Sequence, residues 1–386
     1  MLVASVPPLS PSCGCSALAL AMVLVVESLV TPAAAQRGEV SVAAMGDVLL
    51  HIKVVEAART RGWDRVFGEL GEILNDEEIA LANLETPLVD DVRPVATGSP
   101  PVLGAPADAA AAMARAGLDV LGCANNHAYD QRSIGLLRTL QALRAAGIEA
   151  AGAGRDEASA FGPRVVLRGD LRVAFLSYTE RINTGPGRRP PAAYVAWFRD
   201  EARLHAALRE ARAAADLVVL AVHWSHDFVD RPRRGQRRRA RRWVELGADL
   251  VVGTGPHVLQ EVERVASPRG EAVVAYSLGN LVSNQGKLYR PGRRASPRAH
   301  PALRLPQTRD GLLLRTRFRV EDGRVTIASL RGVPLWTANN HWERARDAAI
   351  DYDIRVRRLS RADTAIQSER LPAIRAAVGP QVVLTP

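Results

Sequence analysis

Short apolar runs alternate with stretches of helical periodicity along most of this chain, and that alternation leaves few folds open to it. Residues 40–45 predict a strand ending at Gly46-Asp47, followed by a helix over 52–61. Residues 78–84 predict a second strand ending at Glu85, before Pro87 breaks the ladder. A Pro/Gly-rich loop spans about 92–106, and 107–116 predicts a helix stopped by Gly117. Residues 118–124 predict a strand ending at Asn125-Asn126-His127, with a helix over 133–146 behind it. Runs at 172–177, 217–222, 250–253 and 272–276 predict further strands, with helical segments between most of them. Strands separated by helices point to an α/β fold, in which chemistry gathers at strand ends.

The last third differs. Residues 285–307 are rich in Arg, Pro and Ser without periodicity, which predicts a long surface loop or lid. Alternation over 312–320 and 325–330, with Asp322-Gly323 between, predicts a hairpin. Residues 360–378 predict a helix. The expected organisation is a signal peptide over 1–35, one domain over 36–345 with a lid at 285–310, and a helical tail over 346–386.

With 47% hydrophobic residues in 386, the chain can bury a sizeable core, which excludes global disorder. The formal net charge of +10 favours an anionic partner, although abundant Arg and Ala can also reflect a GC-rich genome. The apolar run 17–30, then Ala33-Ala34-Ala35 before Gln36-Arg37, predicts an export signal. Glu27 and the lack of an earlier Lys or Arg weaken that signal. Cys13 and Cys15 would leave with it, so Cys123 alone remains and no disulfide framework is expected.

Polar residues recur where apolar runs stop. Asp47 ends the first run, with His51 four residues on, and Glu85 ends the second. Either acid alone could equally cap a helix or face solvent. Asn125-Asn126-His127 sits between a strand and a helix; an Asn carbonyl can ligate a metal and a His can move a proton, while a capping turn is the plainer alternative. Asp130 is placed to orient that imidazole. His223 leaves the run at 217–222, with His226 and Asp227 as further candidates, and His257 follows the tight Gly253-Thr254-Gly255-Pro256 loop. Tyr276-Ser277-Leu278-Gly279-Asn280 could line the same pocket. Asp, Glu, Asn-His, His and His at five strand ends together suit a divalent-metal site. No Walker sequence, nucleophile elbow or paired-Cys spacing is present.

At these residues the chain resembles the CapA (PGA-cap) family of poly-γ-glutamate capsule-synthesis proteins, which itself looks like a branch of the calcineurin-like metallophosphoesterases. The resemblance lies in Gly46-Asp47-Val48-Leu49-Leu50-His51, Ala82-Asn83-Leu84-Glu85-Thr86-Pro87, Ala124-Asn125-Asn126-His127-Ala128-Tyr129-Asp130, Val222-His223-Trp224, Gly247-Ala248-Asp249-Leu250-Val251-Val252-Gly253, Pro256-His257-Val258-Leu259-Gln260 and Tyr276-Ser277-Leu278-Gly279-Asn280, across about 40–285. It implies a four-layer α/β sandwich, metallophosphoesterase-like, with its metal site at strand ends. By position it makes Asp47, Glu85, Asn126, His223 and His257 metal ligands and His127 the proton donor, with Asp130 behind it. The implied cofactor is one or two divalent ions, such as Mn²⁺, Fe²⁺ or Zn²⁺. Family members often carry an extra His just before the Pro-His pair; Thr254 and Gly255 stand there here, so one well-held metal is the safer expectation. Ser225 also replaces the small Gly often found after His-Trp.

The implied role is a metal-dependent hydrolase, exported to the periplasm, envelope or exterior, acting on poly-γ-glutamate, a related anionic polymer or a phosphoester. A non-catalytic polymer-binding or anchoring component is the alternative. Eight Arg between 231 and 242 would suit a polyanion, or simply form a solvated helix face. Only Trp243 accompanies them, which ranks nucleic acid last among the partners.

Overall fold

The computed structural model describes residues 37–74, 78–91, 100–187, 189–199 and 201–386. The expected signal segment and positions 92–99 of the Pro/Gly-rich loop lie outside them. In chain order the strands are β1 (Arg37–Val48), β2 (Glu78–Leu84), β3 (Val120–Gly122), β4 (Glu149–Ala151), β5 (Ala153–Gly154), β6 (Arg164–Arg168), β7 (Leu171–Thr179), β8 (Tyr194–Val195), β9 (Leu217–His223), β10 (Leu250–Thr254), β11 (Val262–Ser267), β12 (Gly270–Ala275), β13 (Asn280–Val282), β14 (Asp310–Glu321), β15 (Arg324–Asn339), β16 (Ile354–Arg358) and β17 (Val383–Leu384).

Two halves compose the sheet. One runs β4-β3-β2-β1-β14-β15 and the other β12-β10-β9-β7-β6, and they meet where Gly270 of β12 pairs with Val325 of β15. Helices Ile52–Arg61, Ala109–Arg115 and Arg132–Ala145 are the crossovers that make β1 to β4 parallel. Helices Glu201–Ala214 and Arg234–Glu245 do the same for β7, β9 and β10, while β10 reaches the parallel β12 through β11, which pairs antiparallel with β12. A parallel strand needs such a crossover, and the crossover then covers one face of the sheet.

Alternation along β1 shows what covers the other face. Val40, Val42 and Ala44 join a core built with Val173, Phe175, Val219, Val252 and Val273 of the second half. Ala43 and Met45 point the opposite way, into the core shared with Val54, Ala58, Ala112 and Leu136 of the helices. On β9, Val219 faces the first half-sheet while Val218 and Leu220 face Leu204, Leu208 and Trp243. The order is therefore helix, sheet, sheet, helix, which is the expected four-layer α/β sandwich. Strands covered on both faces carry unbroken apolar runs, as β9 does over 217–222 before His223.

Several elements extend the expectation. The hairpin joins β14 to β15 through Asp322 (φ 51°) and Gly323 (φ 76°), a turn with both central residues at positive φ. The segment 346–386, expected as a helical tail, is instead wired into the body. β16 and β17 both pair with β15, and helix Thr364–Val378 sends Ile374 and Val378 into the core between the sheets. Arg370 of that helix makes a two-pronged buried pair with Asp310 (3.1 and 2.6 Å). Cys123 is buried and free. Among the described residues no helix is long and apolar enough to cross a membrane.

Candidate metal centre

The carboxyl ends of the parallel strands of both half-sheets converge. Asp47 lies at the end of β1, Glu85 just past β2 and Asn125-Asn126-His127 past β3; His223 ends β9 and His257 follows β10. Asp47 and Glu85 are fully buried, and His223 and His257 nearly so. Donor atoms of Asp47, Glu85 and His223 all lie within 4.8 Å of one another.

The two carboxylates divide their oxygens between the two imidazoles. His223 Nε2 is 3.4 Å from Glu85 Oε1, and its Nδ1 is 3.9 Å from Asp47 Oδ1. His257 Nδ1 is 3.1 Å from Asp47 Oδ2 and 3.9 Å from Glu85 Oε2. Asp47 is braced further: Asn83 Nδ2 donates to Oδ1 (2.8 Å) and the Gly255 N–H to Oδ2 (3.0 Å). Glu85 differs, since neither oxygen has a hydrogen-bond partner among the described residues; nor has Asn126 Oδ1. Buried polar atoms are ordinarily satisfied. Three orphaned oxygens beside two imidazoles form a donor set that fits a divalent cation.

Protein groups alone charge this cluster unevenly. Burial pushes the Glu85 carboxyl well above the carboxylate range, and the neighbouring Asp47 charge adds to it. Burial acts the same way on Asp47, but the hydrogen bond and charge of His257, with His223 and Asn83, outweigh it and hold Asp47 low. Burial lowers His223 to about 3, with Asp47 opposing. At His257 burial is overcome by Glu85 and Asp47, which raise it to about 10. Charge in the cluster is therefore concentrated on the Asp47–His257 pair, and Glu85 is shifted toward its neutral form.

His127 stands beside these groups with its own orienter. Its Nδ1 is 2.7 Å from Asp130 Oδ2, which also accepts the Leu103 N–H (2.7 Å). An acceptor at Nδ1 leaves Nε2 free to hold or release a proton. Asn125, grouped with Asn126 by sequence, is a brace: Nδ2 donates to Leu84 O (2.7 Å), and Oδ1 accepts the His127 N–H (3.1 Å). His51 lies at the margin, its Nδ1 accepting the Asn284 N–H (3.3 Å). Of the lesser candidates, Asp227 is exposed yet its charge reaches Glu85 and His257, while His226 is partly buried. Phe228 covers His257 at 5.9 Å between ring centres, and His300, from the expected lid, meets Phe228 at 5.8 Å.

Sequence reasoning gave no role to Asn83 or Thr254, and Asn280 only a general one. Thr254 Oγ1 lies 3.2 Å from His223 Nδ1, and Asn280 Oδ1 lies 3.1 Å from His257 Nδ1. Their signal was a polar residue at or inside an apolar strand, as Asn83 is within β2.

The family described as bacterial capsule synthesis protein PGA_cap matches residues 41–285. The capsule biosynthesis protein CapA of Bacillus anthracis is 28% identical over 247 residues, covering 63% of this chain and 59% of that protein. The PGA biosynthesis protein CapA of Bacillus subtilis is 27% identical over 253 residues, covering 63% of each. The chain thus spans about six-tenths of the length of these relatives. Among solved structures, the calcineurin-like phosphoesterase YfkN of Bacillus subtilis aligns with a TM-score of 0.43 at 10% identity, over 78% of this chain and 91% of that one.

Proposed function

Because this chain belongs to the bacterial capsule synthesis protein PGA_cap family, we propose that it is an exported, divalent-metal-dependent hydrolase of poly-γ-glutamate or a related envelope polymer. The observation that carries the catalytic part is the buried Asp47–Glu85–His223 cluster with both Glu85 oxygens unpartnered. A site that only supported the fold would satisfy those oxygens within the protein.

Asp47, Glu85, Asn126, His223 and His257 would hold one or two ions, with Mn²⁺, Fe²⁺ and Zn²⁺ as the candidates. A bound divalent cation supplies Lewis acidity at the reacting centre. The chain supplies the rest. Asp130 fixes the His127 ring so that Nε2 holds a proton for the leaving group. Asn83 and Gly255 N–H keep Asp47 ionised and in place. The apolar walls around the cluster limit water.

A specific surface favours a second reading, a polymer-binding component without turnover. On helix Arg234–Glu245, Arg237 pairs with Glu261, and Arg239 with Glu180 and Glu201. Arg234, Arg238 and Arg241 are exposed, have no ion pair among the described residues, and fall at i, i+4 and i+7 on one face. They line an open groove of about 790 Å³.

One experiment separates the readings. The purified protein is analysed for bound metal, then assayed on a phosphodiester and on γ-glutamyl oligomers with and without Mn²⁺. Bound metal and Mn²⁺-dependent turnover that falls at least about a hundredfold in Asp47→Ala and His223→Ala is expected. Absence of metal and of any turnover sensitive to those variants sinks the hydrolase reading. Tight, salt-sensitive binding of poly-γ-glutamate without turnover selects the second.

A further inference from the structure

We propose that the loop over 180–187, directly after β7, is the substrate-recognition arm of the metal centre: Arg181 takes an anionic group of the substrate and Asn183 a neighbouring amide or hydroxyl. The proposal rests on the reading of Asp47, Glu85 and His223 as that centre.

The loop touches expected ligands from both half-sheets. Thr179, at the end of β7, is in register with His223, and the Glu180 N–H donates to His223 O (2.9 Å). Three residues on, the Asn183 N–H donates to Asn126 O (2.9 Å). Between these anchors Arg181 has a fixed backbone. Its N–H donates to Thr179 Oγ1 (3.3 Å), and that hydroxyl donates to Arg181 O (2.8 Å).

The two side chains face unmet demands. Arg181 is exposed, with no ion pair among the described residues. The acid next to it cannot neutralise it, because Glu180 Oε2 accepts from Ser225 N (3.1 Å) and Oγ (2.9 Å) while Oε1 faces Arg239 (3.1 Å). The Arg181 charge nonetheless reaches the site: it helps to keep the His223 imidazole neutral, behind burial and the nearer charged groups. Asn183 is the complementary case, since its Nδ2 and Oδ1 are both buried and both lack partners among the described residues. A carboxamide offers one donor edge and one acceptor, which matches an amide; a guanidinium fork matches carboxylate or phosphate oxygens. A polyamide bearing carboxylates and a phosphoester share the anionic oxygen that Arg181 would take.

The test uses the full protein loaded with Mn²⁺. Inorganic phosphate and tri-γ-glutamate are titrated calorimetrically into wild type, Arg181→Ala, Arg181→Lys and, as a control at the β14–β15 turn, at the other end of the sheet from Asp47, Arg324→Ala. Metal content and melting temperature are measured for each. Wild type should bind at least one probe. Arg181→Ala should weaken it by about tenfold or more, Arg181→Lys by less, and Arg324→Ala should match wild type, all at equal metal content. Preference for phosphate identifies a phosphoester substrate, and preference for the tripeptide a carboxylate polymer; either supports the arm. Equal affinity in wild type and Arg181→Ala overturns it, as does a Mn²⁺-loaded wild type that binds neither probe. Anion binding that depends on Arg181 in a protein that holds no Mn²⁺ would leave the arm standing and remove the metal centre.

Discussion

Thr254 and Gly255 occupy the place where the resemblance leads one to expect another imidazole, and both are committed to supporting the candidate ligands. The Thr254 hydroxyl lies at His223 Nδ1, where it can accept the ring proton and leave Nε2 beside Glu85. Gly255 has φ 97°, and a Cβ there would lie 2.3 Å from Trp224 O, so the position admits only glycine while its N–H holds Asp47. The same cluster sets a pH dependence. Glu85 and Asp47 raise His257 to about 10, so it carries a proton at neutral pH, and burial shifts Glu85 in the direction that favours its protonated form. A ligating imidazole must be neutral and a ligating carboxylate ionised, so metal uptake displaces those protons. Mn²⁺ affinity should therefore rise with pH between about 6 and 9, with roughly one to two protons released per ion. Titration calorimetry in two buffers of different ionisation enthalpy reads both quantities. A flat affinity with no proton release would show that His257 and Glu85 do not ligate.

Elements differ in how visibly the sequence encodes them, and the difference is physical. β2, β9 and β10 are buried on both faces, so each is an apolar run that ends abruptly in Glu85, His223 or the Thr254 loop. That abruptness made the candidate ligands legible. Support from Asn83 or Asn280 was illegible, because a single polar residue in a strand gives no hint of its partner. The outer strands were harder still. β16 alternates Ile354 and Val356 with three Arg, a half-buried pattern too short and too charged to stand out. The C-terminal helix shows the same limit, since Arg370 is nearly buried only because Asp310 meets it from β14. Burial raises Asp310 to about 6 even with Arg370 beside it, so the pair is expensive to break. Arg370→Ala should cost about 3–5 kcal/mol in urea unfolding, whereas Arg370→Met combined with Asp310→Leu should cost much less. A loss under about 1 kcal/mol for the single variant would mean that the helix is a loosely held tail after all.

At the scale of the whole molecule, the two half-sheets share little ladder. β12 and β15 join them at one register pair, and apolar packing between their faces does most of the rest. The candidate centre spans the two halves, with Asp47 and Glu85 from one and His223 and His257 from the other. A cation held there would tie the halves together, and it would do so only in the folded state. Without it the centre carries a fully buried Glu85 with unpartnered oxygens, which costs stability. Such a site should make folding stability follow metal concentration. At a free Mn²⁺ level about 100 times its dissociation constant, linkage gives a gain of roughly 2.7 kcal/mol, and a chelator should reverse it. Glu85→Gln separates this from a general effect of salt, because it removes a ligating charge while keeping the side chain's shape. The variant should melt at or near the temperature of metal-free wild type and gain little from Mn²⁺. Equal Mn²⁺-induced shifts in wild type and Glu85→Gln would place the ion elsewhere on the molecule, and the junction would then be held by packing alone.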